Sequence, residues 1–241
     1  MLKIEKTEVV GWEAAIRGMR NPMNSWDQSD SLFGSDLAIP YAQHNPVVLI
    51  DQNGVETFIG DNDLALMTRL CNAGTDHRKF MRMLVVYLDV TAPLYWWKEF
   101  DTYKVGTVAN SCSTMHKIAA KEFTLEDFSC EHLLDVTTSK DNESVYLNGI
   151  EHTSRGVLLN LIDCLNHFRK LYLKTKDKRY WWQMIQLLPT SYNQKRTIML
   201  SYEVLANIYK SRRHHKLDEW HTLCDWIEGL PYSELITGCE K

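Results

Sequence analysis

The sequence predicts a mixed α/β (α+β) fold: a central sheet packed by helices, with a helix-rich C-terminal half. Three observations carry this reading. Met81 to Val90 is an apolar run rich in Val, Leu and Tyr, which reads as a buried strand. Val157, Leu158, Leu161, Ile162, Leu165 and Phe168 recur at helical spacing, as do Trp181, Met184, Ile185 and Leu188. Val47 to Ile50 and Val55 to Ile59 flank Asp51-Gln52-Asn53-Gly54, and Asn-Gly is the favoured pair of a tight hairpin turn.

In chain order, residues 2–10 suit a first strand and Trp12 to Met19 a short helix. Asn21-Pro22 breaks that helix, because the residue before proline avoids the helical region. Residues 21–46 form a long irregular segment rich in Asn, Asp, Ser and Pro. Asp61 or Asp63 can cap a helix that runs to Ala73, with Leu64, Met67, Leu70 and Cys71 on one face and Gly74 just past its end. After the strand 81–90, Ala92-Pro93 is a stop, and Pro93 suits the first turn of a helix over Leu94 to Phe100. Thr102 to His116 is polar and dense in hydroxyl residues. Leu188-Pro189 punctuates the second half. A helix is expected from Ile198 to Tyr209 and a last one from Asp218 to Ile227, ended by Gly229 and Pro231. The expected packing sets helices 61–73 and 190–210 against the strand. The whole of 1–241 reads as a single domain with insertions at 38–60 and 124–155.

Composition narrows the function classes. Twenty-seven Lys and Arg against 31 Asp and Glu give a net charge of −4, so no global field draws the chain to nucleic acid or an anionic membrane. No apolar run approaches the roughly 18 residues of a membrane helix, and the start lacks a signal-peptide core. The six cysteines form no Cys-x-x-Cys, which suits a reduced, cytoplasmic protein. The paired Trp96-Trp97 and Trp181-Trp182 suggest core or interface packing. His214, His215 and His221 lack a standard zinc spacing, and no Gly-x-Ser-x-Gly, Walker or Gly-x-Gly-x-x-Gly motif is present. The basic run Lys210 to Lys216 is a solvated helix end on its own, or an anion site if Arg212 grips a phosphate.

The spacing of several of these residues resembles the flavin-dependent thymidylate synthases. That family has a strand ending in Ala-Pro, a helix, Arg-His-Arg-x-x-Ser and then Ser-x-Arg. Here Ala92-Pro93 is followed at the same distance by Thr102-Tyr103-Lys104 and Thr107, while the Ser-x-Arg is at best Ser111 or Ser113 without its arginine. The family's flavin-contacting histidine lies fifteen residues before its Ala-Pro, where His77 stands. Its Leu-Pro leads to an asparagine and, five residues later, a phosphate-holding arginine, as Leu188-Pro189 leads to Asn207 and Arg212. The frame covers about 60–116 and 188–230.

The resemblance implies a thymidylate synthase-like flavoprotein: a homotetramer of nucleotide biosynthesis with its sites at subunit interfaces. A methyltransferase reaction would convert dUMP to dTMP with methylenetetrahydrofolate and reduced FAD, NADPH reducing the flavin. It implies cofactor contacts at His77, Tyr103, Lys104, Thr107, Ser201 and Asn207, substrate contacts at Glu99, Ser111, Ser113 and Arg212, and Arg212 as the catalytic cation. No metal, nucleic acid or membrane is implied. Ser201 and Glu203 stand where the family has a flavin-contacting asparagine and arginine, and Glu99 where it has a glutamine. These changes leave a second reading, a non-catalytic nucleotide- or flavin-binding homo-oligomeric module.

Overall fold

The computed structural model describes residues 1–34, 48–50, 54, 56–135, 145–147 and 149–238. Its elements in order are β1 (Lys3–Val10), α1 (Trp12–Arg20), β2 (Leu32–Gly34), β3 (Val48–Ile50), β4 (Glu56–Phe58), α2 (Asp61–Asn72), β5 (Val85–Pro93), α3 (Leu94–Phe100), β6 (Thr107–Ser111), α4 (Thr114–Lys117), β7 (Val145–Leu147), β8 (Ile150–His152), α5 (Ser154–Thr175), α6 (Lys178–Leu187), β9 (Asn193–Ser201), α7 (Tyr202–Arg212), α8 (Asp218–Glu228) and α9 (Glu234–Thr237). Short 3-10 turns fall at Asn21–Met23, Trp26–Gln28, Lys79–Arg82 and Leu125–Asp127. The fold class is the mixed one the sequence predicts.

The chain packs as two compact units, one of Met1–Lys3, Thr91–Asp101 and Ser111–Arg196, the other of Ile4–Val90, Thr102–Asn110 and Thr197–Lys241. In the first, α5 and α6 close over a core of Ile118, Phe123, Phe128, Leu158, Ile162, Leu165 and Met184. Asn166 ties the loop at Phe123 to α5 through two 2.8 Å bonds, its Nδ2 donating to the Phe123 carbonyl and its Oδ1 accepting the Phe123 N–H. Trp96 and Trp97 are fully buried in this unit, and the Trp97 indole donates to the Gln194 carbonyl at 2.9 Å. The pair is therefore core, which removes it as a reason to expect an interface. Trp182, by contrast, is exposed.

The second unit holds the larger part of each strand of a four-stranded sheet, in the order β1-β5-β9-β6. Along β5, Val86, Leu88 and Val90 are buried and Tyr87 is exposed, so the strand alternates between core and solvent as its period of two requires. The strand predicted over 81–90 starts later and runs further, because Lys79–Arg82 coils as a 3-10 turn with Phe80 and Met81 already buried. A second difference is larger. The helix expected from Ile198 is the end of strand β9, and α7 begins only at Tyr202. Ser201 is the boundary: it is extended, and its hydroxyl accepts the Val204 N–H as an N-cap. The partner expected over 190–210 is thus half strand and half helix.

A three-stranded sheet, β2-β4-β3, also belongs to this unit, with Val48 opposite Phe58 and Ile50 opposite Glu56. The strands of the predicted hairpin are present, while its turn residues 51–53 lie outside the described residues, as do 35–47 and 136–144. Helix α2 keeps its predicted span but not its predicted cap. Gly60 occupies the cap position, and the Asp30 carboxylate accepts the N–H groups of Asn62 (2.9 Å) and Asp63 (3.1 Å). A Cβ on Gly60 would lie 2.2 Å from Asp30 Cγ, so only glycine allows this approach. Asp63 itself is consumed by the buried Arg20, whose Nε donates to it at 2.6 Å.

Candidate functional site

Helix α7 organises the candidate site, and its sequence explains how it is held. Tyr202 to Ala206, Ile208 and Tyr209 are all buried, the acidic Glu203 sits in the first turn and Arg212 in the last. The Tyr202 N–H donates to the Leu84 carbonyl at 3.0 Å, and its phenol donates to the Pro231 carbonyl at 2.6 Å. The helix therefore cannot slide, and both ends present charge at fixed places.

At its C-terminal end, Arg212 lies in an aromatic cradle. Its Nε donates to the Tyr103 hydroxyl at 2.9 Å. Its guanidinium carbon lies 4.8 Å from the Trp220 ring centre and 5.6 Å from that of Tyr103. The two rings meet edge to face, 6.0 Å apart at 69°. Tyr103 reaches this place on a turn closed by the Thr107 N–H donating to the Lys104 carbonyl, at 3.4 Å. Gly106 takes φ +78° there, and a Cβ on it would meet Val204 Cγ2 at 3.1 Å. Lys104 at the tip is exposed, and the Thr107 hydroxyl is buried without a hydrogen-bond partner.

At the N-terminal end the charges are more tightly matched. Glu203 is buried and pairs with Arg82, and Arg78 Nε lies 3.6 Å from it. Arg78 also reaches the Asn207 side-chain oxygen, at 3.5 Å. Arg78 Nε is buried and makes no hydrogen bond. His77 precedes Arg78, is exposed and lines a cleft of about 930 Å³ between α1 and α2, with Arg69, Lys79, Leu66, Leu70 and Phe80.

Of the residues singled out in the sequence, the second unit holds His77, Tyr103, Lys104, Thr107, Ser201, Asn207 and Arg212, and brings Tyr103 to Arg212. Asn207 meets the neighbour of His77. Ser201 caps α7. Glu99, Ser111 and Ser113 lie in the first unit, where Ser113 caps α4 by accepting the His116 N–H at 3.2 Å. The sequence reading passed over Arg78, Arg82 and Trp220. Trp220 carried a usable signal, an aromatic one turn into a helix that follows a basic run. Arg78 and Arg82 carried none, since only the fold sets them beside Glu203. Among the described residues no group of His, Cys, Asp or Glu is placed to hold a metal ion, and no helix is long and apolar enough to cross a membrane.

The cleft has room for a large ligand, and an anionic aromatic cofactor there would meet apolar surface, the cations of Arg69 and Lys79, and the carboxylate of Asp76.

No protein-family model and no curated protein sequence matches the chain. Solved structures do. The flavin-dependent thymidylate synthase ThyX of Helicobacter pylori, in complex with FAD and dUMP, aligns over 99% of this chain and 100% of its own, at 14% identity and a TM-score of 0.62. A second structure of that enzyme with FAD and dUMP aligns over the whole of both chains at 15% identity and the same TM-score. The UMP/dUMP methylase PolB of Streptomyces cacaoi, bound to 5-bromo-dUMP, aligns over 99% of this chain and 95% of its own, at 12% identity and a TM-score of 0.57. The chain has the fold of the flavin-dependent thymidylate synthases.

Proposed function

We propose that this protein is a flavin-dependent enzyme that methylates a pyrimidine nucleotide, dUMP to dTMP, with methylenetetrahydrofolate as carbon donor and NADPH as reductant. The observation that carries this reading is the likeness, along essentially the entire chain, to structures that hold FAD and dUMP together. FAD, when bound, supplies the hydride. The chain's own residues bind and orient. Arg212 holds the nucleotide phosphate. His77, Lys104, Thr107, Ser201 and Asn207 face the cofactor, and Lys104 offers a cation to its pyrophosphate, while Tyr103 meets Arg212. The proposed reaction needs no protein thiol; Cys71 and Cys224 are buried, with burial pushing the Cys224 thiol up to about 11, and Cys112 is exposed. By the same reading, residues 1–241 act as one catalytic module, assembled as a homotetramer in the cytoplasm.

One feature favours the second reading, a nucleotide- or flavin-binding module without catalysis. Glu203 occupies the place of a flavin-contacting arginine in the resembled family, and it is buried between Arg78 and Arg82 rather than turned to a ligand. The experiment is the absorbance spectrum of the purified protein with added FAD, followed by dUMP titration and a turnover assay with methylenetetrahydrofolate and NADPH. Flavin and dUMP binding with thymidylate formed supports the enzyme. Binding without turnover supports the module. Neither ligand bound refutes both. Light scattering that gives a clean monomer at micromolar concentration would refute the tetramer.

A further inference from the structure

We propose that Tyr103 and Trp220 are positioning residues for Arg212, and that Tyr103 serves the substrate's phosphate through Arg212 instead of stacking on the flavin. The inference rests on the reading of Arg212 as the phosphate-holding cation.

The argument is geometric. A phosphate is gripped well only when the guanidinium plane already points at it, and a free arginine side chain has rotamer entropy to lose first. Two constraints remove that freedom here. Trp220 is fully buried, so its ring is a fixed floor, and the guanidinium lies over it at 4.8 Å. The ring limits where the guanidinium can lie but leaves it free to rotate. The Tyr103 hydroxyl, accepting from Nε at 2.9 Å, removes that rotation. Tyr103 is itself held, because its ring meets Trp220 edge to face and it directly precedes the turn from Lys104 to Thr107. His215 also meets Trp220 edge to face, ring to ring at 6.2 Å. The cradle thus joins the loop after α3, the end of α7 and the start of α8 at a single cation. A tyrosine committed at both its ring and its hydroxyl is poorly placed to lie flat on an isoalloxazine as well.

The test uses the full chain loaded with FAD and calorimetric titration of dUMP and of deoxyuridine, which lacks the phosphate. Tyr103→Phe keeps the ring and removes only the hydroxyl. It is expected to weaken dUMP binding roughly threefold to tenfold, to leave deoxyuridine within about twofold, and to leave FAD affinity unchanged. Trp220→Phe, with a smaller floor, is expected to give the same phosphate-selective loss. Tyr103→Phe that binds dUMP as wild type does, or loses dUMP and deoxyuridine alike, or loses FAD instead, overturns the proposal. Arg212→Ala separates the two levels. If it loses dUMP selectively while Tyr103→Phe does not, the phosphate reading stands and the positioning role falls. If it keeps wild-type dUMP affinity, both fall.

Discussion

Arg20 and Arg212 are each the last residue of a helix in the same unit, and they are held in different ways. Arg20 is buried against Asp63, whose second oxygen accepts from the Ser29 and Ser31 hydroxyls at 2.7 Å each and from the Ser31 N–H at 3.1 Å. Another nitrogen of Arg20 donates to the Ser25 carbonyl at 3.1 Å. This is an arginine spent on the fold, fastening the irregular segment 25–31 to the start of α2. Arg212 is half-buried and rests on rings, with a phenol oxygen as a hydrogen-bond partner. The helix dipole favours a cation at the C-terminal end of each of these helices. The two arginines differ in burial and in the aromatic rings that Arg212 lies against.

The sharpest way to break this comparison is Asp63→Asn. It keeps the shape and leaves the Arg20 charge buried without its counter-ion, so unfolding in urea is expected to show a loss of about 3–5 kcal/mol. A loss under about 1 kcal/mol would mean that Arg20 is no more structural than Arg212. Acid sharpens the same point. Burial alone would raise the Asp63 carboxyl, but the hydrogen bonds from Ser31, Ser29 and Arg20 outweigh it and hold the group below its ordinary 3.8. A depressed carboxyl contributes stability above its unfolded value and loses it as pH falls below that value through the folded one. Wild type should therefore lose stability on acidification below about 3.8, and Asp63→Asn should show a shallower loss.

Arg212→Ala is expected to do the reverse. Stability should fall by only about 1 kcal/mol, the scale of a lost cation–π contact. dUMP affinity should fall tenfold to a hundredfold, about 1.5–3 kcal/mol, and Arg212→Lys should recover part of it. Calorimetry at fixed salt checks both, and an Arg212→Ala protein that binds dUMP normally would reduce Arg212 to a second structural arginine.

How much of this was legible in the sequence follows from what each feature depends on. β5, α3, α5 and α8 rest on local periodicity and punctuation, and they stand where the pattern places them, within a few residues. β9 was missed because Ile198, Leu200, Val204, Leu205 and Ile208 also satisfy a helical spacing; the extended Ser201 splits the run. For the site, Arg212 and Tyr103 are legible as spacing, and their contact over 109 positions is not. The ion pair of Glu203 with Arg78 and Arg82 is invisible for the same reason. Asp63 reads as a cap in sequence, and becomes an ion-pair partner only because Asp30 takes the capping role.

A smaller effect is expected at Tyr209, one turn before Arg213. Its phenol donates to Glu228 at 2.6 Å, and this bond, with burial, pushes it up to about 12. Tyr103 accepts from a cation; Tyr209 donates to an anion. Tyr209→Phe should cost about 1.5 kcal/mol at neutral pH. A raised tyrosine contributes stability below its unfolded value near 10 and loses it as pH climbs toward about 12. Urea unfolding at pH 8 and above 10 should therefore show a decline in wild type that Tyr209→Phe flattens. An unchanged slope would remove Glu228 as the cause.

The smallest expected effect separates structure from function at the other end of α7. Ser201 is a candidate flavin contact by resemblance, yet its hydroxyl accepts the Val204 N–H as a helix cap and the residue is buried. Loss of a serine cap typically costs about 1 kcal/mol, and the 3.4 Å bond here places Ser201→Ala near the low end, about 0.5 kcal/mol. If capping is all that Ser201 does, the variant loses this stability while FAD raises its melting temperature as much as it raises that of wild type. If Ser201 also touches the cofactor, the FAD-induced shift shrinks as well. A Ser201→Ala protein of wild-type stability with a diminished FAD shift would reverse the assignment, making the hydroxyl a ligand first and a cap second. It would also place the cofactor at the start of the same helix whose far end carries Arg212.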